Sequence, residues 1–164
     1  MDFDKESQQR ILRVAADKNE GRPASELDER IAGVLALHPE FDSIWEEGEM
    51  ASMPREINGM IVNPFVHTVL HVIIDRQLQL GDPEYVVTAY KRLTDQGMES
   101  HEALHVIIAI FADLHFDSTR RGGQFDSLDY ETQINGLSYK ASWQGLIFKG
   151  DYRWSAKRVL KRIF

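Results

Sequence analysis

Two pairs of histidines, set in strongly apolar sequence, constrain the fold of this chain more than any other feature. The first pair is His67 and His71, and the second is His101 and His105. Residues four apart lie on one face of an α-helix, with Cβ atoms about 5–6 Å apart, so each pair can present two imidazoles to one ion. A helix that is apolar on nearly every side is buried. The pattern therefore predicts two buried helices that carry two histidines each.

Capping residues and helix breakers predict where the helices begin and end. Asn63 followed by Pro64 is a typical helix start, and Ser25 with Asp28 three residues later is another. Gly97 stands where a left-handed glycine ends a helix. The helices predicted in this way span residues 7–18, 25–37, 63–78, 83–96, 100–116 and 127–135.

Short connections between the central helices favour a bundle. Three to six residues join the helices over 63–78, 83–96 and 100–116, so we expect them to run up, down and up. The two helices that carry histidine pairs would then be parallel, with four rings at one end. We predict an all-α, up-down helical bundle over residues 1–137, in which residues 40–62 form a short helical turn and an irregular excursion.

The C-terminal segment, residues 138–164, differs in character from the bundle. Aromatic residues on both sides of 149–151 predict a β-hairpin, and the last ten residues predict a short basic amphipathic helix. The segment carries a charge of +6 against −13 for the rest of the chain. We expect it to pack on its own acidic body or on a second copy in a homo-oligomer. Nucleic acid is not favoured as a partner, because the whole chain has a net charge of −7.

Composition excludes several classes of protein. The 164 residues contain no cysteine, so disulfides, thiolate nucleophiles and cysteine-type zinc sites are excluded. The acidic N-terminus lacks the apolar core of a secretory signal, and no apolar run approaches the roughly 18 residues of a membrane span. We expect a soluble cytoplasmic protein without a membrane span.

The four paired histidines are candidate metal ligands. Buried imidazoles need partners for both nitrogens, and four in one place would repel one another if protonated. A divalent cation, zinc or else iron, manganese or nickel, meets both requirements. Asp75 continues the face of His67 and His71 and is a candidate fifth ligand or hydrogen-bond acceptor. The alternative is a metal-free interaction module with a hydrogen-bonded histidine core.

Residues 101–105 also spell HExxH, the signature of zincin hydrolases. In that motif two histidines bind zinc and the glutamate, here Glu102, is the general base. A zincin needs a third ligand, for which the candidates are Asp126, Asp129 and Glu131, and usually a strand that holds a peptide. No strand is predicted before the motif, so we favour Glu102 as an ordinary carboxylate at a helix start.

The remaining two histidines have simpler interpretations. His38 precedes Pro39 at the end of a predicted helix, where an imidazole interacts favourably with the helix dipole. His115 lies between Asp113 and Asp117 and is interpreted as a surface or boundary residue. Neither is predicted to bind a metal.

Three histidine-bearing motifs resemble a known family. They are HPEFD at 38–42, NPFVHTVLH at 63–71 and HEALH at 101–105, and their order and spacing resemble a family of small bacterial proteins catalogued as domain of unknown function 1841. The likeness covers about residues 25–137. It implies an all-helical fold and draws attention to the paired histidines, but it implies no reaction. The family tends to have HPEYH, so Asp42 replaces a histidine here, and a carboxylate could still serve as a ligand.

Overall fold

Helices dominate the structure, a computed structural model that describes residues 1–17 and 25–139. The α-helices are α1 Lys5–Asp17, α2 Glu26–Leu37, α3 Asp42–Trp45, α4 Pro64–Leu80, α5 Glu84–Asp95, α6 Ser100–Arg120 and α7 Ser127–Asn135. Strands β1 Arg55–Ile57 and β2 Met60–Val62 form an antiparallel pair. The chain divides into two compact units, residues 1–75 and residues 76 onward.

In the first unit, α1 packs on α2 and α3. Their apolar faces meet in a core whose innermost side chains are at most 1% exposed, among them Ile11, Ile31, Val34 and Leu35. The stripe of apolar residues at helical spacing on α1 and α2 accounts for this packing.

A buried carboxylate links α1 to the start of α2. Asp28 is 6% exposed and accepts hydrogen bonds from Arg10 and, through both oxygens, from Arg13 at 3.0 Å. Asp28 also accepts from the backbone N–H of Ser25, whose hydroxyl accepts from the backbone N–H of Asp28. Burial alone would raise the pKa of Asp28, but the hydrogen bonds from Arg13 and Ser25 lower it below its usual value.

The segment between α3 and α4 contains a hairpin that was not predicted from the sequence. Ile57 pairs with Met60 across a two-residue turn, in which Asn58 and Gly59 have φ of 51° and 77°. Positive φ at both positions is typical of the type I′ turn, for which Asn-Gly is the preferred sequence. The prediction of an irregular excursion was therefore wrong for residues 55–62.

In the second unit, α5, α6 and α7 pack on one another. Each contributes side chains of at most 1% exposure to the core, including Val86, Leu93, Ile107 and Ile134. Tyr130 of α7 lies in this core at 1% exposure, and its hydroxyl donates to Gln77 Oε1 at 3.1 Å. Arg92 of α5 donates to the carbonyls of Ile134, Asn135 and Leu137, so it caps the end of α7.

Most predicted helix bounds agree with the structure. The capping box at Ser25, the helix start at Pro64 and the positive φ of 96° at Gly97 are all confirmed. Helix α6 is one turn longer than predicted, because no residue interrupts it until Gly122, where φ is 65°.

Other predictions about the architecture are not tested. The predicted C-terminal hairpin and basic helix lie outside the described residues, as does the predicted end of the first helix at Lys18. The up, down, up order and the boundary at residue 137 stay predictions. Within the described parts of the chain, no helix combines the length and apolar character needed to cross a membrane.

Candidate metal centre

Helix α4 places the first histidine pair. Asn63 caps the helix, with its side-chain oxygen accepting from Val66 N at 3.1 Å and its amide nitrogen donating to the Ser52 carbonyl at 2.6 Å. The cap fixes where the helix begins and hence which face carries His67 and His71. His71 is completely buried and His67 is half-buried. Their ring centroids are 4.7 Å apart, as the four-residue spacing predicts.

A third histidine, His38, joins this pair. It follows α2, its backbone N–H donates to the Leu35 carbonyl, and its own carbonyl accepts from Phe41 N at 3.0 Å. The 3₁₀ turn Pro39–Phe41 begins directly after it. His38 is 3% exposed, so this turn carries a buried imidazole.

The three rings meet through equivalent nitrogen atoms. His38 Nε2 lies 3.1 Å from His71 Nε2 and 3.1 Å from His67 Nε2. A candidate ligand atom from each of the three histidines lies within 4.8 Å of the others. Three imidazoles from two separate segments of the first unit therefore converge on one point.

Hydrogen bonds among the three Nε2 atoms cannot account fully for this arrangement. His38 Nδ1 lies 2.9 Å from Glu40 Oε1, and a carboxylate only accepts, so Nδ1 carries the hydrogen. In a neutral ring, His38 Nε2 then has one lone pair to offer to two neighbours. A proton on Nε2 would make the buried ring positive and could be donated to only one of them.

A metal ion would engage all three nitrogens at once. Zinc binds imidazole nitrogen at about 2.0–2.1 Å, which places two ligands of a tetrahedral site about 3.4 Å apart. The 3.1 Å separations around His38 are only slightly shorter. The positions of these atoms are therefore compatible with ligands that share one ion.

Aromatic side chains enclose one side of the cluster. Phe41 stacks on His38 with ring centroids 5.3 Å apart and planes at 13°, and it meets His67 edge-on at 5.4 Å. Trp45 packs against Phe41 in turn, with centroids 6.3 Å apart. These contacts restrict rotation of the imidazoles of His38 and His67, which favours a preformed site.

The second histidine pair lies on α6 in the second unit. His101 and His105 have ring centroids 4.3 Å apart and planes at 44°, so this pair also shares one face. Glu99 caps the helix by accepting from the backbone N–H groups of His101 and Glu102, and these hydrogen bonds lower the pKa of Glu99. His101, Glu102 and His105 are half-buried.

The carboxylates considered as further ligands differ in their hydrogen bonds and in their exposure. Asp126 caps α7 by accepting from the backbone N–H groups of Leu128 and Asp129, and Asp129 accepts from Gln133. Both are exposed, as is Glu131. Asp75 is half-buried near the middle of α4, and Asp42 is exposed. Their roles as ligands stay predictions.

His38 was predicted only to interact with a helix dipole, and its place in the cluster was not predicted from the sequence. The chemistry of a residue at a helix end gave no reason to link it to residues about 30 positions away. The signal that could have identified it is its place in HPEFD, one of three histidine-bearing motifs that accompany one another. His115, in contrast, is half-buried and stacks on Phe111 with planes at 14°, in agreement with its assignment as a boundary residue.

Comparison with known protein families relates most of the chain to one of them. The model of a family described as a domain of unknown function, DUF1841, matches residues 4–136. No curated protein and no solved structure matches the chain.

Proposed function

Because this chain belongs to the DUF1841 family, for which the description gives no activity, we propose a function from its site: it binds a divalent metal ion through His38, His67 and His71. The observation that carries the proposal is the position of His38 Nε2, 3.1 Å from the Nε2 atoms of both other histidines. Hydrogen bonds satisfy such an arrangement poorly, whereas a metal ion accepts all three lone pairs.

The donor atoms favour zinc among the candidate metals. Imidazole suits zinc, copper, nickel and iron, whereas manganese and magnesium prefer oxygen ligands. Zinc has no geometric preference of its own and tolerates the tetrahedral set that a small buried cluster offers. Iron and nickel follow as second choices, and manganese is the least favoured of the metals considered.

His101 and His105, the second pair predicted from the sequence, and Asp75 stay candidates for further ligands of the ion. A closed set of four imidazoles would make the ion a structural one that adds its binding energy to folding, whereas three imidazoles would leave a position for water.

Metal titration of the purified chain tests the proposal. We expect one zinc ion to bind per chain. At a free zinc concentration about a hundred times Kd, zinc should raise the unfolding temperature by about 5 °C or more. His67→Ala should abolish both effects, and His115→Ala, which removes a histidine of the second unit, should leave them intact. Equal behaviour of the two variants, or no zinc binding by the wild type, would favour the metal-free interaction module.

A zincin-like hydrolase is the second candidate function. Its support is the HExxH sequence at the start of α6, whose two imidazoles have ring centroids 4.3 Å apart. In that case the pair would hold the ion and Glu102 would be the general base. The described residues contain strands only in the β1–β2 hairpin, so the strand that usually holds a peptide is not evident there, and this candidate ranks second.

A further inference from the structure

Glu40 makes a close contact with the imidazole that stands at the centre of the cluster. Its Oε1 lies 2.9 Å from His38 Nδ1, and its side chain is 36% exposed whereas that of His38 is 3% exposed. The two residues are only two positions apart, and the 3₁₀ turn Pro39–Phe41 brings the carboxylate back toward the ring. The contact is therefore local to the turn that follows α2.

The contact decides which nitrogen of His38 can bind a metal. A carboxylate accepts and does not donate, so the Nδ1 hydrogen of His38 is directed at Glu40. The lone pair is then on Nε2, the atom that faces His67 and His71 at 3.1 Å. A carboxylate on the distal nitrogen also makes an imidazole a stronger electron-pair donor.

The ring of His38 is held on its face as well as on its edge. Phe41 stacks on it at 13° and 5.3 Å, which fixes the plane, and Glu40 fixes the rotation within that plane. Both residues belong to the same turn that begins at Pro39. The segment 38–41 thus supplies a ligand together with the two groups that orient it.

We propose that Glu40 is a positioning residue that prepares His38 for metal binding, so that His38, Glu40 and the ion form a carboxylate–histidine–metal triad. The inference rests on the proposed function, since it concerns the same site. Glu40 does not bind the ion in this account. It acts by holding the Nδ1 hydrogen and the ring orientation, and the HPE sequence at 38–40 is the local signature of the arrangement.

Binding of cobalt(II) and zinc to Glu40 variants tests the proposal. We expect Glu40→Ala to weaken both metals about 10- to 100-fold, the usual effect of removing a partner of a ligand histidine, and to change the visible absorption of the cobalt complex. Glu40→Gln keeps an acceptor oxygen without the charge and should bind with intermediate affinity. Glu46→Ala removes an exposed glutamate from the same segment and should bind both metals as the wild type does.

Two results would overturn the proposal. One is wild-type zinc affinity and an unchanged cobalt spectrum in Glu40→Ala. The other is a lower unfolding temperature of metal-free Glu40→Ala without any change in Kd, which would make the contact structural. Failure of the wild type to bind either metal is a separate outcome, because it contradicts the proposed function itself and removes the basis of a triad.

Discussion

The Nε2 atom of His38 lies 3.1 Å from the Nε2 atom of His71, although the two residues are 33 positions apart in the sequence. His67 Nε2 lies at the same distance from His38. One residue from a turn and two from a helix therefore meet through chemically equivalent atoms.

Loss of His38 should weaken metal binding as strongly as loss of a residue of the predicted pair. We expect His38→Ala to raise the Kd for zinc by more than about 100-fold, since removing a ligand should cost at least as much as removing a ligand's hydrogen-bond partner. Calorimetric titration checks this. A Kd for His38→Ala within about twofold of the wild type, measured beside His115→Ala, would show that His38 is not a ligand.

Substitution of Glu102 separates the two candidate functions. In the favoured account its side chain does not bind the ion, so Glu102→Gln should have the zinc affinity of the wild type. If the zinc-loaded wild type cleaves labelled casein, the variant should be slower by about 100- to 10,000-fold, the usual contribution of a general base. Loss of zinc from Glu102→Gln would instead make Glu102 a ligand or a structural residue.

Stability of the first unit should depend on pH through Asp28. Its pKa in the folded chain is lowered by hydrogen bonds from Arg13 and Ser25, against the effect of burial, so its stabilising effect is present above the unfolded value of about 4 and is lost as pH falls through the folded value. We expect Asp28→Asn to cost about 1–2 kcal/mol of unfolding free energy at pH 7 and less at pH 3.

Urea unfolding at the two pH values measures this effect. Glu29→Gln is the matched control, because it removes an exposed carboxylate from the next position of α2. A cost of Asp28→Asn that is the same at both pH values would mean that its charge does not contribute.

The core of the second unit should tolerate loss of one hydroxyl better than loss of a ring. Tyr130 donates to Gln77 and contacts the rings of Tyr85, Phe111 and Phe125. We expect Tyr130→Phe to cost about 1 kcal/mol and Tyr130→Ala about 3–5 kcal/mol. Urea unfolding measures both, and equal costs would show that the hydrogen bond, rather than the packing, dominates.

Local chemistry explains which parts of the fold could be predicted from sequence. Ser25 and Asn63 begin helices because their side chains accept from backbone N–H groups of the first turn, and the pairing of His67 with His71 follows from helical geometry. Each of these features depends on residues within about four positions of one another.

Features that depend on very short strands, or on residues far apart in the chain, were not predicted from the sequence. The strands of the hairpin have three residues each, too few to show an alternating pattern, and the Asn58-Gly59 turn was the usable signal. His38 reaches the site through the packing of separate segments, which no local pattern encodes. Its neighbour Glu40 could be interpreted only after the position of the ring was known.

Elemental analysis of the chain, purified without a metal-affinity tag, tests the central claim most directly. We expect about one divalent metal ion per chain, chiefly zinc, in the wild type and in His115→Ala, and almost none in His38→Ala or His67→Ala. A wild-type protein that contains no zinc, iron, manganese or nickel, and whose unfolding temperature does not change when these metals are added, would contradict the claim.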